Sequence, residues 1–107
     1  MRVEFLWWEG CPSHPRALAD LRAALRDEGI DAEALELRHI ESEEEAERLG
    51  FPGSPTIRVD GHDVVPPGHG DPVGLSCRVY RLRDGRYSPV PDPADVRAML
   101  RRVKEEA

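Results

Sequence analysis

Apolar positions crowd the start of the chain. Residues 2–8 hold Val3, Phe5, Leu6, Trp7 and Trp8 in loose alternation, the signature of a buried first strand, and Glu9-Gly10 ends it. The period then changes. Leu18, Leu21 and Leu25 recur at spacings of three and four, and Ala17 and Ala24 widen the stripe into an amphipathic helix closed by Gly29. With Ser13 as N-cap, Pro15 falls harmlessly at N2; starting the helix at Pro12 would instead put Pro15 at N4 and forfeit a bond. Ser13 is the better cap, which leaves Cys11 just ahead of the first turn.

Residues 33–40 read as a short strand with Leu35, Leu37 and His39 on one face and Glu36 and Arg38 opposite. Ser42 followed by Glu45 is a capping box, and Glu43 and Glu44 suit the positive end of the brief helix that stops at Gly50. The turn-rich run Phe51-Pro52-Gly53-Ser54-Pro55 leads into a strand at 56–59. Asp60-Gly61, flanked by Ile57 and Val59 before it and Val64 and Val65 after it, is the strongest hairpin signal in the chain. Residues 66–74 are a loop by composition. A further strand follows at 77–82, ending near Asp84-Gly85. The last helix opens at Asp92-Pro93 with Asp95 at N3, and Val96, Met99, Leu100 and Val103 form its stripe. The order is β-α-β-α-β-β, an extra strand, then α.

A chain of 107 residues makes one domain, 1–107, and buries a core without staples. A net charge of -6, with basic residues interspersed among acids, excludes a surface built to neutralise phosphates, so no nucleic-acid partner is expected. No stretch reaches the roughly 20 apolar residues that cross a bilayer, and the N-terminus lacks the form of a signal peptide. The expectation is a cytoplasmic protein with no membrane partner. Two cysteines do not make a disulfide framework; in a reducing compartment they are core filling or chemistry.

Cys11 is the sharpest candidate. A thiol at a helix N-terminus meets unpaired N–H groups and the positive dipole end, which favour thiolate; the alternative is a small residue packed beneath the helix. His14 is either a neutral hydrogen-bonding base toward Cys11 or a solvated first-turn residue. Cys77, after a flexible loop, either reaches Cys11 to form a disulfide or share a soft metal, or fills core as a buried hydrophobe. His62 and His69 fit none of the usual zinc spacings, so no metal site and no cofactor is expected. Trp7 and Trp8 project to opposite sides of their strand, one toward the core and Trp8 as a candidate wall of the thiol site.

A Cys-x-x-His motif, Cys11 to His14, directly after the first strand, with Ser54-Pro55-Thr56 directly before the third, resembles the thioredoxin superfamily over residues 2–65 and 92–105. The resemblance implies an α/β thioredoxin-like fold, a central mixed sheet of four to five strands flanked by three helices. It further implies a nucleophilic Cys11 facing a cis Pro55, and substrate backbone held strand-like by N–H groups near Thr56, with Pro55, Thr56 and Trp8 in the binding site. Gly74-Leu75-Ser76-Cys77-Arg78-Val79-Tyr80 is also similar to small bacterial thioredoxin-like proteins, some of them associated with organomercurial or thiol-metal handling. Two departures bear on activity. His14 stands where a resolving cysteine usually does, and the Gly-Gly-acidic element that holds glutathione in glutaredoxin-like proteins is missing. Three functions follow as expectations. The first is thiol redox chemistry on a protein or small-molecule disulfide, with Cys11 attacking and Cys77 or an external thiol resolving. The second is a soft-metal or organomercurial-binding module using both thiols, and the third a catalytically silent binding scaffold.

Overall fold

The structure, a computed structural model, describes residues 1–68 and 70–106. His69 lies outside the described residues. Strand β1 (Val3–Trp7) is followed by helix α1 (His14–Asp27), a 3-10 turn (Ala32–Ala34), β2 (Leu35–His39) and α2 (Glu43–Leu49). Then come β3 (Thr56–Val59), β4 (His62–Asp63), β5 (Tyr80–Arg81), β6 (Tyr87–Ser88) and α3 (Pro93–Glu106). The four-stranded sheet runs β2-β1-β3-β4, with β1 parallel to β2 and antiparallel to β3, and β5 and β6 form a separate two-stranded sheet. The chain is thus an α/β fold with three helices and a mixed sheet. Among the described residues no helix is long and apolar enough to cross a membrane.

The alternation of β1 builds the two faces. Val3 and Phe5 point into a core with Ala17, Leu21 and Leu25 of α1, Ile57 and Val59 of β3, and Val96, Met99 and Leu100 of α3. Leu6 points the other way, onto Ile40, Ala46 of α2 and Phe51. Helices α1 and α3 therefore cover one face and α2 the other. Each fully buried Leu, Ile, Val or Phe contributes about 1.5–3 kcal/mol. Trp7 joins the first cluster and Trp8 the second, as their strand parity requires. Arg97 pairs with Asp27 at 2.7 Å and Arg101 with Glu28 at 3.0 Å, while Lys104 donates to the Glu28 carbonyl at 2.8 Å, which ties α3 to the end of α1.

Several local expectations resolve in detail. Asp60 (φ 50) and Gly61 (φ 84) make the two-residue turn joining β3 to β4, with Val59 opposite His62. Ser42 accepts from the Glu45 N–H at 3.1 Å, but the Glu45 carboxylate returns to the Glu41 N–H at 3.0 Å, one residue before the cap. The 33–40 strand begins only at Leu35, because the Asp31 carboxylate accepts from the Glu33 N–H and holds the 3-10 turn. The 77–82 strand shrinks to Tyr80–Arg81. It pairs with Tyr87–Ser88, a strand absent from the sequence reading, so among the described residues no fifth strand joins the main sheet. Cys77 instead forms an isolated parallel bridge with Ser54.

Candidate thiol site

Cys11 sits in the turn between β1 and α1, where its N–H bonds to the Trp8 carbonyl at 3.1 Å. Ser13 occupies the N-cap position, but its side chain makes no capping bond; its Oγ lies 3.3 Å from Cys11 Sγ instead. The helix start thus serves the sulfur rather than its own backbone. Cys11 is 1% exposed, and when protonated its S–H donates to the Ser54 carbonyl at 3.4 Å.

The second thiol reaches this sulfur from across the chain. Ser54 N–H donates to the Ser76 carbonyl at 2.8 Å, and Arg78 N–H donates to the Ser54 carbonyl at 2.9 Å. That parallel bridge sets Cys77 against Ser54, the residue whose carbonyl also meets the Cys11 sulfur, so both cysteines converge on Ser54. Cys77 remains exposed while Cys11 is buried. Burial pushes the Cys11 thiol up, yet the hydrogen bonds from Cys77, from the Ser13 hydroxyl and backbone, and from Ser54 together outweigh it and bring it below its ordinary value. Cys77 goes the other way, to about 11, because its hydrogen bond to Cys11, then partial burial, then the Cys11 charge all favour keeping its proton. Of the two thiols, Cys11 is therefore the easier to ionise.

A buried polar network fixes the Cys77 segment. Arg78 donates to the Asp63 carboxylate at 2.9 Å, to Thr56 Oγ1 at 3.3 Å and to the Val65 carbonyl, and its guanidinium lies 4.6 Å from the centre of the Tyr80 ring. The Tyr80 hydroxyl donates to the Pro55 carbonyl. Burial raises the Asp63 carboxyl despite Arg78 beside it, and burial likewise raises Tyr80. Sequence reasoning missed Arg78, Asp63 and Tyr80. Their only signal was Arg78 following Cys77, and a lone arginine in a strand reads as a solvated residue.

The remaining expected site residues fall as follows. The Ser54–Pro55 bond is cis, and both Pro55 and Thr56 are fully buried. Thr56 Oγ1 donates to the Gly53 carbonyl at 2.6 Å. The strand edge at Ser54, beside the position expected to hold substrate backbone, carries residues 76–78 of the chain itself. Trp8 is half-buried, its N–H donates to Ser54 Oγ at 3.0 Å, and its indole covers Gly10. The His14 ring nitrogen Nδ1 lies 2.8 Å from the Cys11 carbonyl, which can only accept, so that nitrogen carries a proton. His14 and His39 both stack on Trp7, at 4.4 and 4.1 Å between ring centres. His14 thus bonds the Cys11 backbone and packs on an indole; the hydrogen-bond partners of the sulfur are Ser13 and Ser54.

No family model, curated protein or solved structure matches this chain. Among the described residues, no group of three or more His, Cys, Asp and Glu side chains is placed to hold a metal ion. His62 is exposed on β4, away from any such group. Two free cysteines that converge on one residue, Cys11 buried and Cys77 exposed, can lose two electrons together to become a disulfide if their sulfurs meet.

Proposed function

We propose that the protein is a thioredoxin-like thiol–disulfide exchange domain that cycles between a Cys11/Cys77 dithiol and a Cys11–Cys77 disulfide. The observation that carries the reading is the convergence of both cysteines on Ser54, whose carbonyl lies 3.4 Å from the buried Cys11 sulfur and whose backbone bridges to Cys77. The sheet order β2-β1-β3-β4, the cysteine between β1 and α1, and Pro55 ahead of β3 support the family resemblance. With His14 three residues after Cys11, a vicinal dithiol is absent, and Cys77 supplies the second sulfur from another part of the chain. The co-reactant is a disulfide RSSR. Cys11 thiolate and Cys77 thiol give up two electrons and one proton to form their S–S bond, and RSSR leaves as RS⁻ and RSH.

Treatment with a small disulfide, followed by alkylation and peptide mass mapping, tests this. The expected product is a monomer with peptides 11 and 77 cross-linked and two hydrogens lost. Two alkylatable cysteines after oxidation, or intermolecular links only, would sink the proposal.

A second reading follows from the same pair. Two thiolates suit a soft cation, Cu(I) in linear two-coordination or an organomercurial cation that keeps its carbon ligand and becomes three-coordinate. Anaerobic titration distinguishes it: unchanged soft-metal affinity in Cys77→Ala removes it.

A further inference from the structure

The two sulfurs differ in what they can meet. Cys11 is 1% exposed, closed over by the 76–78 segment that bridges to Ser54. Cys77 is exposed and opens onto a groove of about 260 Å³ walled by Pro52, Pro66, Pro67, Pro72 and Arg81. A molecule arriving from solution touches Cys77 first. For it to bond Cys11 directly, the Ser54 bridge and the Arg78 network behind it must first come apart. On the basis of the exchange reading above, we propose that Cys77 is the sulfur through which the site trades with solution, that Cys11 is the internal thiolate, and that the partner is a small thiol or disulfide seated in the proline-walled groove.

The step balances without displacing the segment. Starting from the Cys11–Cys77 disulfide, an external thiolate RS⁻ attacks Cys77 Sγ. A Cys77–S–S–R bond forms, the Cys11–Cys77 bond breaks, and its electron pair goes to Cys11. The Ser13 hydroxyl, 3.3 Å from that sulfur, stands ready to receive the charge. The sulfur whose thiolate is better stabilised leaves faster, so access and leaving-group strength agree. A second RS⁻ then attacks the R-side sulfur, RSSR departs, and Cys77 takes up a proton to become again the S–H donor to Cys11. In total, one protein disulfide and two RSH become a dithiol and RSSR; oxidation retraces the path through the same mixed disulfide.

The size of the partner follows from the same geometry. The backbone edge at Ser54, where an extended polypeptide would add as a strand, already carries Ser76 and Arg78. The groove beside Cys77 has room for a compound of amino-acid to dipeptide size.

Acid-quenched single turnover decides the order of attack. The oxidised full-length protein is mixed with cysteamine, quenched, alkylated and mapped by mass. The expected adduct lies on Cys77, in about tenfold or greater excess over Cys11. A predominant Cys11 adduct overturns the inference and leaves the exchange reading standing. Failure to form the intramolecular disulfide beforehand, seen as two free thiols, removes both. Cys11→Ser gives a second check, holding a stable cysteamine adduct on Cys77 after reaction with cystamine, whereas Cys77→Ser, whose hydroxyl still covers Cys11, stays largely unmodified. Reduced wild type exchanges with cystamine about tenfold faster than with a folded protein disulfide at equal concentration; equal rates overturn the small-ligand assignment.

Discussion

Arg78→Met removes the guanidinium that holds the Cys77 segment in place. Arg78 is 8% and Asp63 9% exposed at their side chains, so the variant strands a buried carboxylate without its ion-pair partner, with only the weaker influence of Arg58 left. Breaking a buried pair on one side costs about 3–5 kcal/mol. Loss of the contact over the Tyr80 ring adds about 0.5–1 kcal/mol. A chain of this size has about 5–15 kcal/mol in total, so roughly a third or more of its stability goes. Equilibrium urea unfolding reads this as a midpoint lower by about 2 M.

The pH dependence has a definite sign. Burial already raises the Asp63 carboxyl, and Arg78 is the main influence holding it down. Without Arg78 the folded-state value rises further. A group raised in the folded state contributes stability below its unfolded value and loses it as pH climbs through the folded one. The Arg78→Met deficit is therefore full at neutral pH and shrinks toward the ordinary carboxylate value of about 3.9. Adding Asp63→Leu restores most of the loss, because an apolar pair replaces the ion pair without a stranded charge. A deficit under about 1 kcal/mol, or one that does not change with pH, would mean that Arg78 does not hold a buried Asp63 charge in place.

Three further predictions follow from single residues. Cys77→Ala removes the leading influence that lowers Cys11, so an ultraviolet thiolate titration shows Cys11 ionising at higher pH than in wild type; an unmoved titration contradicts the shared-proton pair. Gly10→Ala would place its Cβ inside the Trp8 indole, forcing the ring to shift, and calorimetry shows a loss of about 1–3 kcal/mol. Ser42→Ala removes the acceptor of the Glu45 N–H and costs about 1 kcal/mol in the same assay.

Local chemistry made most of the fold legible. Asp60-Gly61 specifies a turn whatever surrounds it, and the Leu18/Leu21/Leu25 stripe finds its core face from period alone. What stayed hidden depends on contacts between residues far apart in sequence. The 77–82 segment has strand composition, but Val79 is 69% exposed and Arg78 is buried against Asp63, a division that simple alternation does not foresee. Ser13 reads as a cap because capping is local; its hydroxyl turns to Cys11 because the fold puts a sulfur there. The nearness of Cys77 to Cys11 was one open alternative in the sequence, and it depends on a bridge to Ser54 that has no sequence signature.

The Cys11–Cys77 couple is read by redox titration in mixtures of reduced and oxidised dithiothreitol. One reversible two-electron transition is expected in the wild-type protein, abolished equally by Cys11→Ser and by Cys77→Ser. A transition that survives either substitution, or none in the wild type, would contradict this pairing.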